Sequence, residues 1–217
     1  MNCPHSTVKL EWSPELAYAI GLIVTDGCLY SDGRHISLTS SDEEQLLNFK
    51  KCLGVKTKIG FKSSGYSEKR PMQVRFGDVN FYNFLMEIGL MPRKTKIIGA
   101  VKIPDEYFFD FLRGHLDGDG TFYSYWDPRW RSSFMFYAVF LSASRAHIEW
   151  IRTTIFERLG IKGHLTVTGK TPMIMIKYAK AESLQLLPKI YYNPDEVCLS
   201  RKREKIEKAI AVEGHRL

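Results

Sequence analysis

Two aspartates, Asp26 and Asp119, each precede a glycine at the end of an apolar segment of helix length. The first segment closes with AIGLIVTDG at Ala19 to Gly27, and the second with LRGHLDGDG at Leu112 to Gly120. Two carboxylates brought together with backbone carbonyls offer hard oxygen ligands, which suit a divalent cation such as Mg²⁺. The alternative is a pair of ordinary Asp-Gly helix ends, which does not account for the duplication.

Small residues four positions apart predict how these two helices meet. Glycine inside a helix costs about 1 kcal/mol relative to alanine, so its recurrence at one spacing indicates close packing of two backbones. If the helices pack with their C-terminal ends together, two carboxylates lie where the helix ends already carry partial negative charge, which is unfavourable unless a cation lies between them. The small residues are Ala17, Gly21, Thr25, Gly114 and Gly118.

Composition favours a folded, basic protein. The 217 residues are 44% hydrophobic and carry a net charge of +7, which fits a nucleic-acid partner but also a merely basic soluble protein. The four cysteines are far apart without a CxxC pair, so neither a disulfide framework nor a zinc site is predicted. With no membrane-length apolar run and no signal-peptide core, we expect an intracellular protein, in a microbial cytoplasm or an organelle matrix, that is not secreted.

The elements around the first acid follow from local signals. Ser13-Pro14-Glu15 predicts a helix start, and residues 28–39 predict a hairpin around Ser31-Asp32-Gly33. Ser40 or Ser41 is expected to cap a second helix that Gly54 ends. Strands at 58–62 and 72–76 and a helix at 78–90 complete the order αββαββα.

The same order restarts at about Asp105. SLTSSDEEQLL at Ser37 to Leu47 matches FLSASRAHIEW at Phe140 to Trp150, and Arg93-Lys94 matches Arg201-Lys202. A repeat of about a hundred residues predicts an α+β fold of two pseudo-symmetric αββαββα repeats, each with a curved, antiparallel four-stranded sheet. The predicted parts are an N-terminal segment at 1–12, the first repeat at 13–97, a linker at 98–104, the second repeat at 105–210 and a C-terminal tail at 211–217.

The two predicted sheets differ in character. Residues 56–75 carry six Lys or Arg and one acid, and the basic residues alternate with core residues. They therefore project from one face of a sheet, which suits the DNA major groove, although a solvated basic face is the simpler alternative. In the second repeat the strands at 134–141 and 173–178 are apolar on both faces. That sheet either recognises thymine methyls and DNA shape or is partly covered by the chain's own loops.

The paired Asp-Gly segments resemble the signature helices of single-chain, two-repeat LAGLIDADG homing endonucleases. The resemblance implies that Asp26 and Asp119 are catalytic, metal-binding acids, with the carbonyls of Thr25 and Gly118 as further ligands for Mg²⁺, or for Mn²⁺ or Ca²⁺ in its place. Val24 departs from the motif where its first Asp would stand, whereas Asp117 keeps it.

In that family a basic residue near the end of each repeat stabilises the phosphate, which by position implies Lys94 and Lys202 as catalytic residues. For each lysine, a charge at a helix end or a plain phosphate contact is the alternative. The water-organising polar residue would fall near Ser37, but Phe140 stands at the matching second-repeat position, so this role is left unassigned.

The resemblance further implies a monomer without a required protein partner that hydrolyses both strands of double-stranded DNA at a long, non-palindromic site, its two sheets forming a DNA-binding saddle. An RNA maturase and a non-cleaving DNA-binding protein on the same fold are the alternatives. The residues expected to bind DNA are Tyr30, Arg34, His35, Ser37, Lys58, Lys62, Lys69, Arg70, Gln73, Arg75, Tyr123, Arg129, Arg131, Thr166, Thr168, Lys170 and Lys177.

Overall fold

The computed structural model describes residues 7–62, 71–130, 132–168 and 173–217. These residues form an α+β protein in which the first repeat contains α1 (Pro14–Asp26), β1 (Gly27–Leu29), β2 (His35–Ser40), α2 (Glu43–Leu53), β3 (Gly60–Phe61), β4 (Met72–Gly77) and α3 (Val79–Glu87). The second contains α4 (Phe108–Asp117), β5 (Thr121–Trp126), β6 (Phe134–Ser142), α5 (Arg145–Leu159), β7 (His164–Thr168), β8 (Met173–Ala179) and α6 (Lys180–Ile190), followed by α7 (Ser200–Val212). The order αββαββα is confirmed in both repeats, and α7 is an additional helix.

Each repeat builds one antiparallel four-stranded sheet, in the orders β1-β2-β4-β3 and β5-β6-β8-β7. In the first sheet Leu38 pairs with Val74, and in the second Phe140 pairs with Ile176. Both pairs consist of buried residues, so Leu38 corresponds to Phe140. The predicted match of Ser37 with Phe140 is therefore wrong by one residue, and Ser37 corresponds to Val139. A one-residue shift would turn every side chain of the strand to the other face of the sheet.

Helix ends agree with the sequence signals, with one change. The Ser13 hydroxyl accepts a hydrogen bond from the Leu16 amide at 3.1 Å, as predicted for the start of α1. The cap of α2 is Asp42, whose carboxylate accepts from the Glu44 amide, and not Ser40 or Ser41. Gly54 ends α2 in the left-handed conformation, φ +66°, which glycine adopts without the steric cost of a side chain.

The chain divides into two compact units, residues 1–94 with 101–118 and residues 95–100 with 119–217. The first unit contains the first sheet and α1 to α4, and the second contains the second sheet and α5 to α7. No helix among the described residues is both long and apolar enough to cross a membrane.

In the first unit α1 packs directly on α4, and glycines form the contact. A methyl group on Gly114 would overlap the Tyr18 carbonyl, and one on Gly21 would overlap the Phe111 carbonyl. Gly118 lies in the same way against the side chain of Thr25. The predicted close approach is confirmed, and because these contacts advance in the same direction along both helices, the C-terminal ends of α1 and α4 lie together.

A buried polar cluster accompanies this contact. The Tyr18 hydroxyl donates a hydrogen bond to the Asp117 carboxylate at 2.9 Å, and Arg113 pairs with Asp110 at 2.8 Å, with both side chains buried. Asp117, the first acid of the second motif, therefore serves helix packing. Val24, at the equivalent place in α1, is buried without a polar group.

Candidate functional site

Asp26 is the last residue of α1 and is half-buried. Its Oδ2 atom accepts a hydrogen bond from Nε2 of Gln45 at 2.8 Å. The Gln45 side chain is only 4% exposed, and its Oε1 atom accepts from the Ser40 hydroxyl at 2.6 Å. Sequence reasoning missed Gln45. The available signal was a polar residue at a core-facing position in the first turn of α2.

Lys94 is 5% exposed, and its Nζ atom donates a hydrogen bond to the carbonyl oxygen of Gly27, 2.5 Å away. Gly27 caps the C-terminal end of α1, where partial negative charge favours a cation. Arg93, directly before this lysine, has φ +58°, the only positive φ of a non-glycine residue in the described ranges. The left-handed conformation costs about 1–2 kcal/mol. The backbone at Arg93 therefore adopts an unfavourable conformation directly before the buried Lys94.

In the second unit Lys202 lies in the first turn of α7 and donates to the carbonyl oxygen of Gly120 at 2.7 Å. Gly120 follows Asp119 as Gly27 follows Asp26. Helix α4 ends at Asp117 with Gly118 as its cap, so Asp119 lies beyond the last helical residue. A small pocket of about 150 Å³ beside Lys202 is lined by Thr121, Phe122, Arg201, Lys202 and Lys205.

The candidate metal ligands are the carboxylates of Asp26 and Asp119 and the backbone carbonyls of Thr25 and Gly118, and such oxygen atoms suit a hard cation. No group of three His, Cys, Asp or Glu residues that could hold a metal ion occurs in the part of the chain that the structure describes. The Thr25 hydroxyl is bonded to the carbonyls of Gly21 and Leu22 within α1, so its backbone carbonyl, and not its hydroxyl, is the candidate ligand. A few carboxylates and carbonyls fit Mg²⁺, which keeps several waters or binds substrate phosphate oxygens.

The open face of the first sheet is an ordered hydrogen-bonding surface. Gln73 donates from Nε2 to the hydroxyls of Ser37 at 3.2 Å and Thr39 at 3.1 Å. The Arg75 guanidinium lies 4.3 Å from the centre of the Tyr30 ring, which holds it by a cation–π contact. The strand register places Ser37, Gln73 and Arg75 on this face. Arg75 is exposed, whereas Ser37, which was expected to bind DNA, is buried at 1% exposure.

The hairpin between β1 and β2 is ordered by hydrogen bonds to the carboxylate of Asp32. Asp32 accepts hydrogen bonds from the His35 backbone amide and from its Nδ1 atom, the latter at 2.6 Å. These bonds, together with one from the Arg34 amide, lower the pKa of Asp32 to about 2. Among the other residues expected to bind DNA, Arg34, Lys58 and Lys62 are exposed, whereas Lys69 and Arg70 lie outside the described residues.

The open face of the second sheet is aromatic. Tyr123 stacks on Tyr137 with ring centres 5.1 Å apart, and Tyr125 stacks on both at 6.4 Å. Val139, on the same face, is 1% exposed, whereas Tyr125 near the hairpin tip is 42% exposed. The face is thus buried near Val139 and exposed near the hairpin tip.

The remaining residues expected to bind DNA in the second unit are spread along this sheet. Lys177 pairs with Val139 and His164, and Thr166 pairs with Met175. Thr168 pairs with Met173 through the backbone at the edge of the sheet. At the hairpin tip the exposed Arg129 forms an ion pair with Asp127 at 3.1 Å. Hydrogen bonds from the side chain and backbone amide of Arg129 lower the pKa of the Asp127 carboxyl. Arg131 and Lys170 lie outside the described residues.

The comparisons with known proteins agree with this architecture. Residues 13–89 match the family model of the LAGLIDADG-like domain. A comparison with curated proteins finds no match. The I-LtrWI LAGLIDADG homing endonuclease bound to target DNA superimposes with a TM-score of 0.60 at 12% identity, over 93% of this chain and 91% of that chain. I-DmoI in complex with DNA and Ca gives 0.56 at 14% identity, over 93% and 98%.

Full-length DUF199/WhiA from Thermatoga maritima also superimposes, with a TM-score of 0.56 at 19% identity over 98% of this chain. The chain spans 65% of the length of that protein. The first repeat therefore matches the LAGLIDADG-like domain model over residues 13–89, and the two repeats have the LAGLIDADG fold, as the resemblance implied.

Proposed function

We propose that this protein is a metal-dependent, site-specific endonuclease that hydrolyses both strands of double-stranded DNA. One observation carries the proposal. In each repeat an Asp-Gly pair stands at the C-terminal end of a motif helix, and a lysine from a distant element donates to the carbonyl of that glycine. The two halves differ at the sheet positions Ser37 and Val139, yet they keep the acid, the glycine and the lysine.

The residues have distinct roles in the proposed reaction. Asp26 and Asp119 would supply carboxylate ligands for Mg²⁺, and Thr25 and Gly118 would supply carbonyl ligands. When bound, the metal ion activates water and polarises the phosphate. Lys94 and Lys202, ordered by their carbonyl contacts, place positive charge where negative charge develops on the phosphate.

The sheets supply DNA binding in this proposal. The side chains of Gln73 and Arg75 present hydrogen-bonding groups from the first sheet, and bidentate contacts of such groups distinguish bases in the major groove. Tyr123 and Lys177 present an aromatic and basic surface from the second. I-LtrWI is bound to target DNA, and I-DmoI is in complex with DNA and Ca, which supports the same partner and a hard cation here. One chain carries both acid and lysine sets, so we propose that it acts as a monomer without a protein partner.

A DNA-binding protein that does not cut is the second candidate. The observation that favours it is the match to DUF199/WhiA, which covers 98% of this chain. One fold is thus shared by chains described as endonucleases and by a protein described without that activity. The chemistry at Asp26 and Asp119 decides between the two candidates.

The test is selection of cleaved duplexes from a randomised DNA library with Mg²⁺. Asp26→Asn and Asp119→Asn should abolish cutting but keep DNA binding in a gel-shift assay, because asparagine keeps the size of the side chain and removes the charge. Asp195→Asn, a change at an exposed loop acid, is the matched control and should cut normally. Wild-type protein that binds selected duplexes and never cuts them would establish the second candidate.

A further inference from the structure

We infer that Gln45 is a positioning residue that orients the Asp26 carboxylate for its metal ion. The inference rests on the proposed function of Asp26. Nothing in the sequence motif points to Gln45, because it lies nineteen positions after Asp26 on a different helix. Its contact with the acid exists only in the folded protein.

The direction of the hydrogen bonds supports this role. The Ser40 hydroxyl accepts a hydrogen bond from the Asp42 backbone amide at 3.0 Å, so its own proton is directed to Oε1 of Gln45. An amide side chain has one acceptor oxygen and one donor nitrogen. With the oxygen turned to Ser40, the nitrogen is turned to Asp26, where it donates at 2.8 Å.

The backbone that carries Gln45 is fixed by the capped first turn of α2. Asp42 caps α2 through the Glu44 amide, and Gln45 is buried in the first turn of that helix. The amide therefore reaches Asp26 from a fixed backbone position. Hydrogen-bonding partners that orient a metal-ligating side chain typically contribute about 10–100-fold in metal affinity or activity.

The second unit differs at this position. Gln45 is the third residue after the cap Asp42, and His147 is the third residue after the cap Ser144. The strand register gives the same correspondence between the repeats. His147 is buried, and its Nδ1 atom lies 2.8 Å from the carbonyl oxygen of Gly99. The inference therefore applies to Asp26, because the second repeat has His147 and not glutamine at the position of Gln45.

Binding of Mn²⁺ to the full chain without DNA, followed by the EPR signal of the free ion, tests the inference. Asp26→Asn should lose the site. Gln45→Met keeps the length of the side chain without its N–H donor and should weaken Mn²⁺ binding roughly 10-fold. Gln185→Met makes the same chemical change on the exposed side of α6 and should leave the affinity unchanged.

The outcomes are distinguishable. If Asp26→Asn loses Mn²⁺ while Gln45→Met binds it as the wild type does, the inference is wrong and the proposed function stands. If Asp26→Asn itself keeps full binding, the metal role of Asp26 fails and the inference fails with it. Should circular dichroism show that Gln45→Met does not fold, Ser40→Ala decides, because it removes the donor that orients Gln45 and leaves the Gln45 side chain in place. Ser40→Ala should weaken binding in the same direction, and unchanged affinity would overturn the inference.

A second measurement separates positioning from general structural support. If Gln45 acts through the metal ligand, slow cutting by Gln45→Met should be restored by raising the Mg²⁺ concentration, with DNA affinity unchanged. A defect that no concentration of Mg²⁺ restores contradicts the positioning role.

Discussion

The Nζ atom of Lys94 lies 2.5 Å from the carbonyl oxygen of Gly27, the residue that follows Asp26. Lys202 makes the same contact with Gly120 in the second unit, at 2.7 Å. Each lysine is therefore held at the glycine that follows its acid, by a backbone atom that substitution of side chains does not remove. This contact ties a residue late in each repeat to the motif near its start.

Replacing either lysine should slow cleavage more than it weakens DNA binding. In Lys94→Met and Lys202→Met we expect the cleavage rate to fall by about 100-fold, the order of effect seen when one group that stabilises transition-state charge is removed. Single-turnover rates and gel-shift affinities measure the two effects separately. Lys189→Met, at an exposed position of α6, is the control, and equal losses of rate and affinity would reduce the lysines to positioning contacts.

Gly114→Ala should destabilise the protein by about 1–3 kcal/mol, because the added methyl overlaps the Tyr18 carbonyl and neither backbone can move away easily. The intrinsic preference of helices for alanine offsets only part of this cost. Urea unfolding gives the change in the free energy of unfolding. Gly99→Ala, where a methyl would meet no atom within 4 Å, should be nearly neutral. Similar stabilities for the two variants would mean that α1 and α4 are not in backbone contact.

The thiol of Cys52 should make stability depend on alkaline pH. Burial raises its pKa to about 12, from 9.0 when unfolded. Below pH 9 the thiol is neutral in both states, so its contribution to stability is fully present. Between pH 9 and 12 only the unfolded state ionises, and stability should fall by up to about 1.4 kcal/mol per pH unit.

Urea unfolding at a series of pH values from about 8 to 11, which spans the onset of this ionisation, measures the slope. The variant Cys52→Ala lacks the thiol, so its stability should fall less steeply than that of the wild type over the same interval. Because all other titrating groups are shared, the difference between the two curves isolates Cys52. Parallel curves would show that this thiol is not protected from ionisation in the folded protein.

The first sheet should discriminate bases more sharply than the second. Gln73 and Arg75 carry bidentate hydrogen-bonding groups at the positions that Met175 and Lys177 hold in the second sheet. Arg75→Ala should relax base preference in one half-site, since a bidentate contact is worth about 1–3 kcal/mol of discrimination. Met175→Ala should change preference less.

Selection from a library randomised across the whole site gives the preference of each variant at every position. We expect the winning sites of the wild type to be clearly non-palindromic, because the two open faces present different groups. Palindromic winners, or equal relaxation by Arg75→Ala and Met175→Ala, would contradict the difference between the sheets.

The order of elements was predictable because local physics determines it. Ser13 starts α1 and Gly54 ends α2 through contacts within one or two turns. The close packing of Gly21 against α4 was also predictable, since glycine weakens its own helix and is favoured at a repeated helical spacing where two backbones must approach closely. The register of the second repeat was misread by one position at Ser37, because similarity over a short run does not show which residue faces the core.

The candidate site also has a part that could be predicted from the sequence and a part that could not. The sequence by itself marked Asp26 and Asp119 as the candidate acids and Lys94 and Lys202 as equivalent positions of the two repeats, since a duplicated motif marks equivalent positions. Only the tertiary structure decided that Gln45 donates to Asp26, that Asp117 bonds to Tyr18, and that each lysine bonds to the glycine after its acid. These contacts join residues 19 to 99 positions apart. No spacing in the chain marks them, because the packing of helices and the pairing of strands, not local sequence, set which side chains meet.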